Sequence, residues 1–292
     1  MPIWSKDGQR LMFAVQVGQG RFVSVPMAAG EVKEYPVWET FSTWLEQQYA
    51  WSQDGSFLLV TGIRKGVGLG IHRYELASGA TETLVKTMNT QVPGHWVCHA
   101  RFSPDGNSFY YLWRDFIKDA DGGTDCKDRI LRRNLRSGNE EIAYESPEML
   151  HIWWPYELSP EGARLAIVTS NDRGTNDFVV ALKVRSVSGS ETREVVRMAP
   201  RENVTSLAWT PDGKRLVYTK ERANKVEVWS TTVDSGQSVE LKLSQPAIHD
   251  ISIHPEGRQI AFCAGVSSSP EVWVMEGLMP KAVVQAAPTT NK

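Results

Sequence analysis

One phrase recurs six times along the chain and constrains its fold more than any other feature: Trp4-Ser-Lys-Asp-Gly8, Trp51-Ser-Gln-Asp-Gly55, Phe102-Ser-Pro-Asp-Gly106, Leu158-Ser-Pro-Glu-Gly162, Trp209-Thr-Pro-Asp-Gly213 and Ile253-His-Pro-Glu-Gly257. The glycines at 8, 55, 106, 162, 213 and 257 stand 47, 51, 56, 51 and 44 residues apart. A period of that length marks a repeat architecture. The phrase itself is turn chemistry. Proline presets φ for the second position of a type I turn, an acid follows, and glycine takes the left-handed residue that closes a bulged hairpin. Apolar runs follow each turn, from Leu11 to Val15, Leu58 to Val60, Phe109 to Trp113, Leu165 to Val168, Leu216 to Tyr218 and Ile260 to Cys263.

A second turn signal falls later in each period, at Ala29-Gly30, Ser78-Gly79, Ser137-Gly138, Ser188-Gly189, Ser235-Gly236 and Glu276-Gly277. It lies between β-type segments such as Ile71 to Leu76 and Thr83 to Val85, or Phe178 to Val184 and Glu194 to Val196. Each period therefore reads as four short antiparallel strands. Gly and Pro interrupt the chain too often for long helices. Six such units arranged radially make an all-β, six-bladed β-propeller with four-stranded blades. The blades are expected at about residues 1–37, 38–86, 87–145, 146–197, 198–244 and 245–279, followed by a disordered tail over 280–292.

The repeated Ser-Pro-Asp-Gly phrase with its following apolar run resembles the WD40-like repeat of TolB-type propellers, and Glu271 to Glu276 followed by Leu278-Met-Pro280 is similar to the last strand of bacterial members. The resemblance runs from residue 1 to about 280. It implies the propeller fold and a periplasmic setting. Oligogalacturonate lyases, which resemble the same repeat family, carry metal-binding histidines on a propeller. Fold alone does not assign function, because propellers serve as binding platforms, lyases, peptidase gates and sensors.

The terminal blades are expected to be incomplete: only Met1 to Trp4 precede the first turn, and blade six stops after its third strand. The expectation that follows is an unpaired edge between blades one and six, with an upstream segment lost or a blade left three-stranded. Met1-Pro-Ile-Trp4 has neither a basic start nor an apolar stretch of signal-peptide type. The setting is thus periplasmic by resemblance, or cytoplasmic if the chain belongs to a regulator.

Composition supplies ample core, with 41% apolar residues, and a formal net charge of −2 gives no reason to expect nucleic acid as a partner. No apolar run approaches the length of a membrane span. Cys98, Cys126 and Cys263 are too few and too scattered for a disulfide framework.

Strand order places the Asp/Glu-Gly turns on one face, and the variable B–C loops and blade crossovers on the other. Binding residues usually occupy such variable segments, here Trp38 to Leu45, Lys86 to Trp96, Arg114 to Asp128, Glu145 to Trp153 and Thr169 to Asp177. Aligned on the turn acid, Trp44, His95, His151 and Glu202 stand ten residues upstream. His99, Trp154, His249 and Asp250 stand six or seven upstream. These residues, with Trp153, are expected to ring the channel mouth as a ligand site. Neutral imidazoles there suit a divalent metal, so His95, His99, His151 and His249 are the candidate metal ligands, against a reading with no cofactor. His72 and His254 read as structural. Asp115 to Asp128 alternates carboxylates with glycines but lacks the terminal Glu of an EF-hand, and reads as a solvated acidic loop rather than a calcium site. No Gly-x-Ser-x-Gly elbow, phosphate loop, His-Glu-x-x-His or Cys-x-x-Cys is present.

The function expected is a non-enzymatic module that binds a protein or peptide at the crossover face. The alternatives are a metal-dependent polysaccharide lyase or hydrolase using the four histidines, and the C-terminal sensory propeller of a larger bacterial regulator or kinase.

Overall fold

The computed structural model describes residues 1–15, 20–37, 41–87, 95–118, 124–147, 151–171, 178–223, 225–243, 245, 247–265 and 271–277. Among these residues every regular element is a strand, and the strands form six separate antiparallel sheets. Blade one holds β1 (Ile3–Trp4), β2 (Arg10–Val15), β3 (Arg21–Pro26) and β4 (Lys33–Pro36). Blade two holds β5 (Phe41–Trp51), β6 (Phe57–Arg64), β7 (Gly68–Glu75) and β8 (Thr81–Lys86). Blade three holds β9 (His95–Phe102), β10 (Ser108–Lys118), β11 (Thr124–Asn134) and β12 (Glu140–Glu145). Blade four holds β13 (His151–Leu158), β14 (Arg164–Ser170), β15 (Val180–Ser186) and β16 (Thr192–Arg197). Blade five holds β17 (Leu207–Trp209), β18 (Arg215–Arg222), β19 (Lys225–Thr232) and β20 (Ser238–Glu240). Blade six has three strands among the described residues, β21 (His249–Ile253), β22 (Gln259–Ala264) and β23 (Glu271–Glu276). The six-bladed all-β propeller expected from the repeat is the fold observed.

The repeated phrase builds the same turn each time. In blade three the Ser103 hydroxyl donates to Asp105 Oδ1 at 2.5 Å and accepts from Ser108 N, while the Asp105 carboxylate accepts from Asn107 N. Equivalent bonds join Ser5, Asp7 and Arg10 in blade one, Ser52, Asp54 and Phe57 in blade two, and Thr210, Asp212 and Arg215 in blade five. These bonds hold the carboxyls of Asp7, Asp54 and Asp105 below the usual range, the serine hydroxyl contributing most. Blade six has His254 where the others have Ser or Thr, and its Nδ1 accepts from Glu256 N at 3.0 Å, two residues on, where the hydroxyls accept from the amide five residues on.

Each turn touches the next, so the six share one face and close a circle. Lys6 Nζ donates to Gln53 Oε1 at 2.8 Å, and Gln53 Nε2 donates to Ser103 O at 3.3 Å. A Cβ on Gly162 would lie 2.9 Å from Pro104, and one on Gly257 would lie 3.4 Å from Pro211. Arg164 donates to Gly213 O at 2.7 Å. His254 Nε2 then meets Gly8 O at 3.2 Å and joins blade six to blade one.

The core lies between blades. One cluster packs Ala50, Leu59 and Ile71 of blade two against Val97, Phe109 and Tyr111 of blade three; another packs Cys98, Leu112 and Ile130 of blade three against Ile152, Tyr156 and Ile167 of blade four. Among the described residues β23 has no strand partner on its outer edge, as expected, while side chains join the faces of blades one and six. Trp4, Leu11 and Ala261 pack together with Val25, Val272 and Val274, and Trp4 Nε1 donates to Ser252 O at 3.3 Å. Trp209 makes the equivalent bond to Glu157 O of blade four at 3.1 Å. The β1/β23 region thus joins as neighbouring blades do elsewhere, face to face rather than strand to strand.

Candidate functional site

Residues four before each turn acid, Ile3, Ala50, Arg101, Glu157, Ala208 and Ser252, line an axial cavity of about 340 Å³. Trp4, Trp51, Phe102, Leu158, Trp209 and Ile253 widen it toward the turn face. Between blades three and four Arg101 Nε pairs with Glu157 Oε1 at 2.8 Å on its wall. Burial pushes the Glu157 carboxyl up, against the pull of Arg101; burial likewise works to lower Arg101, but Glu157 outweighs it and holds the guanidinium charged. Met1 lies against the same wall, where its carbonyl accepts from Tyr49 Oη and its amino group lies 3.2 Å from Asp250 Oδ2. None of the four candidate histidines lines this cavity.

The structure sends those histidines to different places, and strand bulges are the reason. In β9 and β21 the register shifts where His99 and Asp250 take left-handed backbone, φ 60° and 59°. A bulge reverses the alternation of side chains, so equal spacing from the turn no longer means equal direction. His99 is buried beside Tyr156, whose hydroxyl donates to His99 O at 2.6 Å. Burial, with Arg101 nearby, holds the His99 imidazole far below its ordinary value, and hence neutral.

His95 is exposed on the blade-two side of blade three, 5.0 Å between ring centroids from Trp113 and bonded through Nδ1 to Asp115. Asp115 also ion-pairs with Arg129 and accepts from Trp113 Nε1 at 2.8 Å. These residues, with Phe116, Ile117, Leu131 and Ile142, frame an open cleft of about 800 Å³. Ile117 and Ile142 are 48% and 56% exposed. The cleft exists because β10 and β11 are 11 residues each, against 6 to 8 for the second strand of other blades. Arg114 to Asp128, read from sequence as a loop, is therefore corrected to a hairpin paired out to Lys118 and Thr124. The correction extends to its acids: Asp115 and Asp128 are tied to arginines, not left to solvent. Asp119 and Asp121 lie outside the described residues, as does the side chain of Asp125.

On the opposite face of that hairpin Asp128 is fully buried. It accepts from Arg114 Nε and Nη2 at 2.6 and 2.8 Å and from Ile152 N at 2.7 Å. His151 Nδ1 reaches back from blade four to Cys126 Sγ at 3.0 Å. Cys126, Asp128 and His151 form one group of potential metal donors with atoms within 4.8 Å of one another; His249, Asp250 and Cys263 form a second. Asp250 is held below the usual carboxylate range: burial works against this, but the His249 bond at 3.0 Å and the Met1 amino group prevail. Each group contains one histidine, and His95 and His99 fall in neither, so among the described residues the four-histidine set is not gathered. Manganese favours oxygen and nitrogen donors, whereas both groups include a thiol.

Glu202 is committed locally, accepting from Ala199 N at 3.0 Å and pairing with Lys220 at 3.2 Å. The side chains of Trp44, Trp153 and Trp154 lie outside the described residues. Sequence reasoning missed Cys126 and Cys263 as site residues. A signal was present, since Cys126 lies beside Asp128 and Cys263 closes the apolar run facing His249.

No protein-family model matches the sequence, and no curated protein matches it. Solved structures are similar in fold. TolB from Acinetobacter baumannii superposes with a TM-score of 0.60 over 85% of this chain, at 17% identity. The fold is a TolB-like β-propeller. An oligogalacturonate lyase in complex with manganese gives a TM-score of 0.62 at 16% identity, covering 94% of this chain and 73% of the lyase. A puromycin hydrolase gives 0.62 at 13% identity, covering 94% of this chain. The chain spans 55% of the length of that TolB and 44% of that of the hydrolase. Similarity at this level of identity extends to the TolB-like propeller and no further.

Proposed function

We propose that the protein is a non-enzymatic binding module that recognises a protein or peptide segment at the crossover side of the propeller. The observation that carries this reading is the blade-three cleft: exposed Ile117 and Ile142 flank Trp113 and Phe116, beside the His95–Asp115–Arg129 charges. An apolar platform rimmed by a few fixed polar groups is the chemistry of a peptide-binding surface. The extended hairpin that creates it departs from the other blades, whereas the turn face repeats itself. Site residues proposed from sequence that border this side, His95 and His151, accompany it. A bacterial periplasmic setting, implied by the resemblance to TolB-type repeats, is part of the same proposal.

Selection of peptides from a displayed library, followed by calorimetry on the wild type and on Ile142→Asp, tests it. Binding of selected peptides should weaken by about 1–2 kcal/mol or more in the variant, as loss of a central apolar contact does. Selected peptides that bind both proteins equally would move the site elsewhere.

A second reading, a metal-dependent lyase or hydrolase acting on a polysaccharide, draws on the likeness to the manganese-bound oligogalacturonate lyase. Turnover of oligogalacturonate with manganese, abolished by His249→Ala, would favour it over binding alone.

A further inference from the structure

We propose that His249, Asp250 and Cys263 form a zinc-binding site in blade six. The three residues present one donor atom each, all within 4.8 Å of one another, so that side-chain rotation would close them to the edges of about 3.3–3.8 Å that a tetrahedral zinc site needs. Their convergence is built by the bulge in blade six. Cys263 pairs with His249 across β21 and β22, and left-handed Asp250, φ 59°, turns its carboxylate back onto the same side, 3.0 Å from His249 Nδ1. Regular alternation would have sent Asp250 to the other face.

Several features favour this group over the one at Cys126. Asp128 has its oxygens occupied by Arg114 and Ile152 N, and a guanidinium beside a metal would repel it. Among the described residues Asp250 pairs with no arginine: its partners are His249 at 3.0 Å and the Met1 amino group at 3.2 Å, and a metal ion would displace that amino group rather than a two-pronged guanidinium. Asp250 is buried while the His249 side chain is 41% exposed, which leaves an approach from solvent. The donor set selects the metal. One thiolate, one imidazole and one carboxylate match zinc, with a fourth position left to water, and suit manganese poorly. Binding releases the thiol proton to solvent. This site differs from the four-histidine set and stands independently of the peptide-binding reading.

Cobalt is the probe, because a thiolate ligand gives Co²⁺ a charge-transfer absorption that carboxylates and imidazoles do not. Titration of the full chain with Co²⁺ should produce that band with one equivalent, and Zn²⁺ should displace it. Cys263→Ser should remove the band while Cys126→Ser leaves it, and His249→Ala should weaken Zn²⁺ binding by about a hundredfold or more, beyond the loss seen for outer-shell groups. Circular dichroism in EDTA checks that each variant folds. Absence of the band in the wild type, its persistence in Cys263→Ser, or its loss in Cys126→Ser alone would each overturn the assignment.

Discussion

Replacing Asp128 by Ala should be among the most damaging single changes in the molecule. The carboxylate is fully buried and satisfies three donors, two on Arg114 and the amide of Ile152, so it ties both central strands of blade three to the first strand of blade four. Arg114 also donates to Ile152 O at 3.0 Å, and its side chain is only 17% exposed. Removing one member of a buried pair strands the other charge, at a cost of about 3–5 kcal/mol. The orphaned Ile152 amide adds about 1–3 kcal/mol. Partial access of Arg114 to water trims the sum, and a loss of about 4 kcal/mol is expected, a large part of the 5–15 kcal/mol typical of a folded domain. Denaturant unfolding followed by tryptophan fluorescence measures it. The double variant Asp128→Leu with Arg114→Met should recover most of the loss, because apolar groups of similar size need no partners. A cost below about 1 kcal/mol for Asp128→Ala, or a double variant no better than the single one, would refute the reasoning.

Other consequences follow from the same geometry. His254→Ser restores the turn hydroxyl of the other blades but removes the bond to Gly8 O, so stability should fall by about 1 kcal/mol and hydrogen exchange should rise first in blades one and six. Gly8→Ala should cost more, since its Cβ would meet His254 Nε2 at 2.1 Å in a backbone with φ +68°. Burial lowers the His72 imidazole from 6.5 to about 4, below its unfolded value. The unfolded chain therefore takes up the proton first, and stability present above pH 6.5 should be lost as pH falls toward 4, by about 3 kcal/mol in all. His72→Gln should flatten that part of the pH profile.

The turns were legible in the sequence because their chemistry is local. Ser, Asp and Gly within five residues satisfy one another, and six copies at a blade-length period leave little choice of fold. His254 was legible as structural, although its second bond, to Gly8, joins positions 246 residues apart and has no local signal. Counting strands gave the open edge of blade six, and among the described residues β23 has no outer partner. The join itself was not legible that way, because blades adhere by their faces, through Trp4, Leu11, Ala261 and Val272. The histidines show where spacing fails: one bulge turns His99 into the core while His95, four residues earlier, stays on the flank. The long blade-three hairpin was hidden by Gly122-Gly123 and by carboxylates that read as loop until their arginine partners, Arg129 and Arg114, are in place.

The most direct test of the proposed function is a hydrogen-exchange footprint of a selected peptide on the full chain. Protection should fall on the β10–β11 hairpin and the neighbouring strand beginning at His95, with the Asp-Gly turns unchanged. Protection centred instead on the turn face, around Trp51 and Trp209 at the mouth of the axial cavity, would contradict the assignment of binding to the crossover side.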